Sequence, residues 1–219
     1  MPQIKIAPSI LASDFSRGAE TVKALEQNGA DYVHCDIMDG NFVPPITFGH
    51  QFVGSLRPHT KLPLDCHLMV LHPETHFEEL KKAGADFITI HKEVCKEQTP
   101  SLLRRIREMG MKSGAVVNPD TPIERVFDCV EDADMILIMS VFPGWGGQKF
   151  IADTLKKAEA LRSFCIRNGK PDFDIEMDGG ISEQNAKEVI SAGVNVLVAG
   201  SAVFRSLDMA STIRALRGE

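Results

Sequence analysis

Short apolar runs alternate along the chain with longer segments in which apolar residues recur every three or four positions. The apolar runs have the length and composition of buried parallel strands. They predict eight strands, at 3–9, 31–37, 62–69, 86–91, 111–117, 134–140, 173–178 and 194–199. Helical spacing, with cap residues at the start or Gly at the end, predicts helices at 13–29, 72–84, 99–110, 121–130, 151–169, 182–193 and 208–219.

A weak internal repeat marks the junctions between these elements. The segments 28–33, 83–88 and 192–197 each place Gly and a small residue before Asp or Asn and an apolar run. Gly is the residue that most often follows the end of a helix, where the backbone turns left-handed. The repeating unit is therefore a helix, a tight turn and a strand.

Eight such units in 219 residues predict a (β/α)8 TIM barrel, an α/β fold, with residues 1–219 as a single domain. The alternative is an open doubly wound sheet. That sheet usually carries a GxGxxG motif after its first strand, and SILASD at 9–14 does not resemble it.

Charge and composition exclude several classes of partner. The formal net charge is −6, whereas a nucleic-acid or anionic-membrane partner requires a basic face. No apolar run has the length of a membrane span, and the N-terminus does not have the pattern of a signal peptide. A small phosphorylated substrate stays compatible with this charge, because local backbone N–H groups can hold an anion.

The five cysteines form no CxxC motif and no evident disulfide framework. Two of them, Cys35 and Cys66, lie inside predicted strands. We interpret them as buried thiols and expect a cytoplasmic protein.

In a barrel of this kind the functional residues lie at the carboxyl ends of the strands. His34, Asp36, His67 and Asp178 occupy such positions on three predicted strands. Two imidazoles and two carboxylates suit Zn²⁺, Fe²⁺, Mn²⁺ or Co²⁺. The alternative is a hydrogen-bonded polar network without metal, and His91 is interpreted as a polar residue of the core.

Two further groups of residues follow the strands. Met38, Met69 and Met139 stand at strand ends, where they either fill gaps in the core or form an apolar lid over a reacting centre. Glycine-rich turns at 143–148, 178–180 and 199–202 follow three neighbouring strands. Loops at this end of a barrel often bind phosphate through backbone N–H groups.

Seven segments in order along the chain resemble the ribulose-phosphate 3-epimerase family: IAPSILASDF, HCDIMDGNFVPPITFG, LDCHLMV, NPDTP, SVFPGWGGQKF, IEMDGGI and VAGSAVF. Members of that family are barrels of the pentose phosphate pathway that invert C3 of a pentulose 5-phosphate with a divalent metal. The resemblance implies a homo-oligomer whose partner is a small phosphorylated ketose, most simply D-ribulose 5-phosphate.

The resemblance also assigns roles to residues. It implies that His34, Asp36, His67 and Asp178 bind the metal and that Asp36 and Asp178 form the catalytic acid–base pair. It implies substrate contacts for Ser9, His67, Met38, Met69, Met139, Gly144, Trp145, Gly146, Gly147, Gly179, Gly180, Gly200 and Ser201.

Three loop residues depart from the family pattern: Asn41 in MDGNF, and Phe142 and Trp145 in the loop after the sixth strand. These departures leave the choice of sugar open, and a six-carbon ketose phosphate such as D-allulose 6-phosphate is an alternative substrate. The same fold could also serve a Schiff-base aldolase that uses Lys92, or a sugar-phosphate binding protein without catalysis.

Overall fold

One sheet of eight parallel strands forms the centre of the computed structural model, which describes residues 2–219. The strands are β1 Lys5–Pro8, β2 Val33–Met38, β3 Leu64–Met69, β4 Phe87–His91, β5 Lys112–Val117, β6 Met135–Met139, β7 Asp174–Asp178 and β8 Val196–Ala199. All eight coincide with the strands that the sequence predicts, and only β2 extends past its predicted end, by one residue.

The strands follow one another in the order β1-β8-β7-β6-β5-β4-β3-β2, so β1 and β2 are the two edges of the sheet. An isolated parallel bridge between Ser9 and His34 joins these edges. The sheet therefore closes into the predicted (β/α)8 barrel, and the residues that close it include two that the sequence assigns to the site.

Helices form the outer layer. They are α1 Gly18–Gln27, α2 His50–Leu56, α3 Phe77–Lys82, α4 Lys92–Cys95, α5 Thr99–Glu108, α6 Leu155–Arg167, α7 Ala186–Ser191, α8 Ser201–Phe204 and α9 Met209–Arg217. In α5, for example, Leu103 and Ile106 are buried while arginines occupy the solvent side. An apolar stripe of this kind packs a helix against the outer face of a sheet.

Two segments differ from the sequence prediction. The helix predicted at 121–130 is a 3₁₀ helix, Ile123–Cys129, rather than an α-helix. A 3₁₀ helix rises about 2.0 Å per residue against about 1.5 Å in an α-helix, so a short connection reaches farther along the barrel. Helix α2 is not predicted from the sequence, because it contains Gly54 and begins after Gly49, so its local helix propensity is weak.

Among the residues that the structure describes, no helix is both long enough and apolar enough to cross a bilayer.

The glycines of the internal repeat lie where the sequence predicts, directly after helices. Gly29 and Gly193 have φ angles of +85° and +100°, in the left-handed region that a side chain disfavours. Their surroundings differ. A Cβ at Gly29 would meet no heavy atom within 4 Å, whereas a Cβ at Gly193 would lie 2.7 Å from Cβ of Arg162.

We predict that Gly29→Ala lowers the free energy of unfolding by about 1 to 2 kcal/mol, the cost of a left-handed alanine. Gly193→Ala should cost ~1–3 kcal/mol more, because Arg162 must move to relieve the overlap. Urea unfolding of both variants measures the difference. Equal losses would show that the close approach to Arg162 does not constrain position 193.

Candidate active site

The four predicted ligands, His34, Asp36, His67 and Asp178, converge at the carboxyl end of the barrel. Each offers one ligand atom, and these atoms all lie within 4.8 Å of one another. His34 and Asp36 point the same way because side chains alternate along β2. His67 stands opposite Asp36 in the register of β2 and β3, so the strand pairing itself brings these two ligands together.

His34 is fully buried, and its two ring nitrogens have different surroundings. Nδ1 lies 2.7 Å from Oδ2 of Asp65, whereas Nε2 makes no hydrogen bond within residues 2–219, although Oδ1 of Asp36 lies 3.4 Å away. A carboxylate at one ring nitrogen is the arrangement that orients a metal-binding histidine. A buried nitrogen without a partner is costly, and a cation beside it would remove that cost. The residues present therefore fit a divalent metal.

Both carboxylate oxygens of Asp36 have close polar neighbours. Ser9 Oγ donates a hydrogen bond to Asp36 Oδ2 at 2.5 Å, and His67 Nδ1 lies 3.1 Å from Oδ1. Burial raises the pKa of Asp36, but the neighbouring imidazoles of His34 and His67 outweigh burial and hold the pKa of Asp36 well below its usual value. Asp36 is therefore an ionised carboxylate in this setting.

Asp178 has the opposite electrostatic environment. Burial and the negative charge of Asp36 raise the pKa of Asp178 to about 7, although His34 partly offsets them. Beneath it, burial and the charge of Asp65 raise the pKa of Glu176 well above its usual value. The site thus pairs one carboxyl group that ionises readily with one that holds a proton near neutral pH, which suits acid–base chemistry.

A cleft opens above these carboxyl groups. Its lining includes Asp36 and Asp178 and most of the predicted substrate contacts: Ser9, Met38, Met69, Met139, Gly144, Trp145, Gly146, Gly147, Gly180, Gly200 and Ser201. Two predicted contacts, His67 and Gly179, lie outside the lining. His67 is fully buried below the cleft. A Cβ at Gly179 would lie 2.6 Å from Cγ2 of Val141, so this glycine permits close packing behind the cleft.

Glycines of the turns after β6 and β7 line the cleft and, in the part of the chain that the structure describes, have N–H groups without backbone partners. Within residues 2–219 the N–H groups of Gly146, Gly147 and Gly180 make no hydrogen bond to backbone oxygen. Gly180 also allows the turns to approach each other, because a Cβ there would lie 2.6 Å from the backbone nitrogen of Phe150. The turns therefore form one packed unit with free N–H groups, as an anion site requires.

The three residues that depart from the family pattern lie at different places. Phe142 and Trp145 line the cleft and are 51% and 63% exposed, so they form an apolar rim at its mouth. Asn41 lies outside the cleft lining, and its side chain donates a hydrogen bond to the backbone oxygen of Asp39. Of the three, only the two aromatic residues stand where they can contact a ligand in the cleft.

Lys92 does not reach the cleft. Lys92 begins α4 and is absent from the cleft lining, and its buried ammonium group lies 3.1 Å from Oδ2 of Asp128. A Schiff-base aldolase requires a lysine at the substrate, so this geometry removes the support for that alternative.

Sequence reasoning assigned His91 to the core and missed its contact with the site. His91 is buried, but its Nε2 lies 2.9 Å from Nε2 of His67. The alternation of side chains along β4 could have predicted this contact, because it places His91, the last residue of the strand, on the same inward face as Thr89.

Solved structures share this fold at low sequence identity. The 3-hexulose-6-phosphate synthase of Salmonella typhimurium is 20% identical, with a TM-score of 0.70 over 98% of this chain and 97% of the other. A tryptophan synthase α-subunit from Pyrococcus furiosus is 16% identical, with a TM-score of 0.70 over 100% of both chains. These similarities show the fold alone.

Sequence relatives are far closer. The ribulose-phosphate 3-epimerase of Synechocystis sp. is 48% identical over 98% of this chain and 93% of its own length. That of Bacillus subtilis is 44% identical over 98% of this chain and 99% of its own. The model of the ribulose-phosphate 3 epimerase family matches residues 5–204. The resemblance seen in the sequence motifs is thereby confirmed, and the chain belongs to the ribulose-phosphate 3-epimerase family.

Proposed function

We propose that the chain is a metal-dependent epimerase that interconverts D-ribulose 5-phosphate and D-xylulose 5-phosphate by inverting C3. The observation that carries the proposal is the convergence of two imidazoles and two carboxylates within 4.8 Å, beneath a cleft lined by glycine turns. The names of the sequence relatives support the pentulose phosphate as substrate. Residues 1–219 act as one catalytic domain in this proposal.

The chemistry requires two proton-transfer groups. The C3 hydrogen of the ketose lies next to the C2 carbonyl, so removing it as a proton gives an enediolate. A proton returned to the opposite face inverts the centre. Asp36 on β2 and Asp178 on β7 come from strands separated by β8 and β1, and we assign each to one face of the planar enediolate. Their opposed pKa shifts suit Asp36 as the base and Asp178 as the acid in one direction, and the two roles exchange in the reverse direction.

His34, Asp36, His67 and Asp178 would hold the metal, and their donor types suit Zn²⁺, Fe²⁺, Mn²⁺ or Co²⁺. When bound, a divalent cation supplies Lewis-acid stabilisation of the negative charge that develops on the substrate oxygens, a contribution of several kcal/mol. The chain itself orients the ligands. Asp65 fixes the His34 ring, and Ser9 fixes the Asp36 carboxylate by its hydrogen bond.

The remaining cleft residues bind and enclose the substrate in this proposal. The free N–H groups of the glycine turns would hold the phosphate, with Gly200 and Ser201 alongside. Met38, Met69 and Met139 are buried around the reacting centre and exclude water from it. Lower local polarity strengthens each electrostatic interaction with the enediolate.

The substrate assignment predicts a clear order of activity. D-ribulose 5-phosphate should be epimerised faster than D-allulose 6-phosphate in side-by-side coupled assays. Unphosphorylated D-ribulose should be a poor substrate, because each charge-assisted hydrogen bond to phosphate is worth about 1.5 to 3 kcal/mol. A preference for the six-carbon sugar would identify the chain as a hexulose-phosphate epimerase. Equal rates with D-ribulose and D-ribulose 5-phosphate would show that the cleft has no phosphate site.

The two-base assignment predicts matched effects at the aspartates. Asp36→Asn and Asp178→Asn should each lower net epimerisation by about 10²- to 10⁴-fold, the usual cost of losing a proton-transfer group. With metal retained, each variant should still exchange the C3 hydrogen of one epimer with D₂O, and the preferred epimer should differ between variants. NMR of each epimer measures this exchange. Full epimerisation by either variant would mean that one base serves both faces.

The metal assignment predicts that metal and activity are lost together. His67→Ala should bind no stoichiometric divalent metal and should be inactive, while far-UV circular dichroism shows a retained barrel. The control is His72→Ala, whose side chain is 77% exposed and is not one of the four ligands. Metal analysis and the epimerase assay are run on the same samples. Full activity after metal has been stripped from the wild-type chain would contradict the assignment.

A further inference from the structure

A line of hydrogen-bonding groups leads from His67 away from the cleft. Nε2 of His67 lies 2.9 Å from Nε2 of His91, and Nδ1 of His91 lies 3.2 Å from Oε2 of Glu93. Both imidazoles are buried, and their rings stack with centroids 5.0 Å apart. None of the functions assigned above uses His91 or Glu93.

Glu93 is held firmly at the far end of this line. Its Oε1 accepts hydrogen bonds from the backbone N–H of Asn118, at 2.8 Å, and from the hydroxyl of Thr121. Burial raises the pKa of Glu93, but the hydrogen bonds from His91, Asn118 and Thr121 outweigh burial and lower it to about 2. An ionised carboxylate can only accept hydrogen bonds. Its neighbour must therefore supply the proton.

The acceptor role of Glu93 determines which nitrogen carries the proton in His91 and in His67. A neutral imidazole has one N–H donor and one acceptor nitrogen. If His91 donates from Nδ1 to Glu93, its Nε2 is the acceptor. His67 must then donate from its own Nε2, which leaves the lone pair of His67 Nδ1 facing Asp36 Oδ1 at 3.1 Å. Two acceptors at that distance repel each other, and a cation held by His67 and Asp36 would offset the repulsion.

We propose that Glu93, acting through His91, is a positioning residue that fixes the ring proton of His67 at Nε2 and so presents the Nδ1 lone pair to the divalent cation. The proposal rests on the proposed function, because it concerns the same metal site. It adds Glu93 and His91 as the residues that determine which ring nitrogen of His67 can bind the cation. Partners that fix the tautomer of a ligand in this way usually change metal affinity by about 10- to 100-fold.

The variant Glu93→Gln keeps the shape of the side chain but reverses the direction of the hydrogen bonds from residue 93 through His91 to His67. Its amide oxygen can keep the hydrogen bonds from Asn118 and Thr121, while its NH₂ group points at Nδ1 of His91. His91 must then accept at Nδ1 and donate from Nε2. This places the ring proton of His67 at Nδ1, where it blocks the metal.

The test measures the affinity of the metal-free protein for Co²⁺ by chelator competition, with the visible absorption of bound Co²⁺ as a second readout. We predict that Glu93→Gln binds Co²⁺ about 10- to 100-fold more weakly than wild type. The matched control is Glu97→Gln, whose side chain is 81% exposed and lies 3.5 Å from Arg125. This control should bind like wild type. A Glu93→Gln variant that folds and binds within about twofold of wild type would overturn the proposal.

A second pair of variants decides the question if Glu93→Gln fails to fold by circular dichroism. In His91→Gln the amide oxygen can accept from His67 Nε2 and the NH₂ group can donate to Glu93, so Co²⁺ affinity should be largely kept. His91→Leu has neither group and should bind at least about tenfold more weakly than His91→Gln. Equal affinities of these two variants would overturn the proposal.

The same titrations separate this proposal from the proposed function. If wild type and Glu97→Gln bind no Co²⁺, the metal site of the proposed function fails, and the positioning role of Glu93 fails with it. If both bind Co²⁺ and Glu93→Gln binds equally well, only the positioning role fails.

Discussion

The arrangement depends on one constraint, which is that ionisable side chains are buried together at the carboxyl end of a barrel. His34, Asp36 and His67 have almost no exposure to solvent. Isolated charges in such a place are costly, so each must be paired, hydrogen-bonded or bound to a cation. The contacts around them follow from that need, including Asp65 at His34, Ser9 at Asp36 and His91 at His67.

Pattern and spacing were sufficient to predict the barrel, because buried parallel strands and left-handed glycines leave local signals in a sequence. The same alternation placed His34, Asp36, His67 and Asp178 on inward faces at one end of the strands. The 3₁₀ segment at Ile123–Cys129 and helix α2 were not predicted correctly. Their conformations depend on packing against neighbouring elements, which overrides weak local propensity.

The sequence could not predict which polar residues lie at the cleft and which support it. Gly179 belongs to one of three glycine turns that look similar in the sequence, yet it packs against Val141 and does not line the cleft. His91 has the pattern of a core residue, yet it contacts a predicted ligand. Both outcomes depend on how strands and loops meet in three dimensions. The unequal pKa shifts of Asp36 and Asp178 depend on the same geometry, because the two residue types are identical.

The central claim is that this chain inverts C3 of a ketose phosphate by removing a proton from one face and returning one to the other. The most direct measurement is NMR of D-ribulose 5-phosphate incubated with the wild-type chain in D₂O. The account predicts D-xylulose 5-phosphate that carries deuterium at C3, because the returning group takes its hydrogen from solvent. Formation of D-xylulose 5-phosphate that keeps its original C3 hydrogen, or no formation of that sugar, would contradict the account.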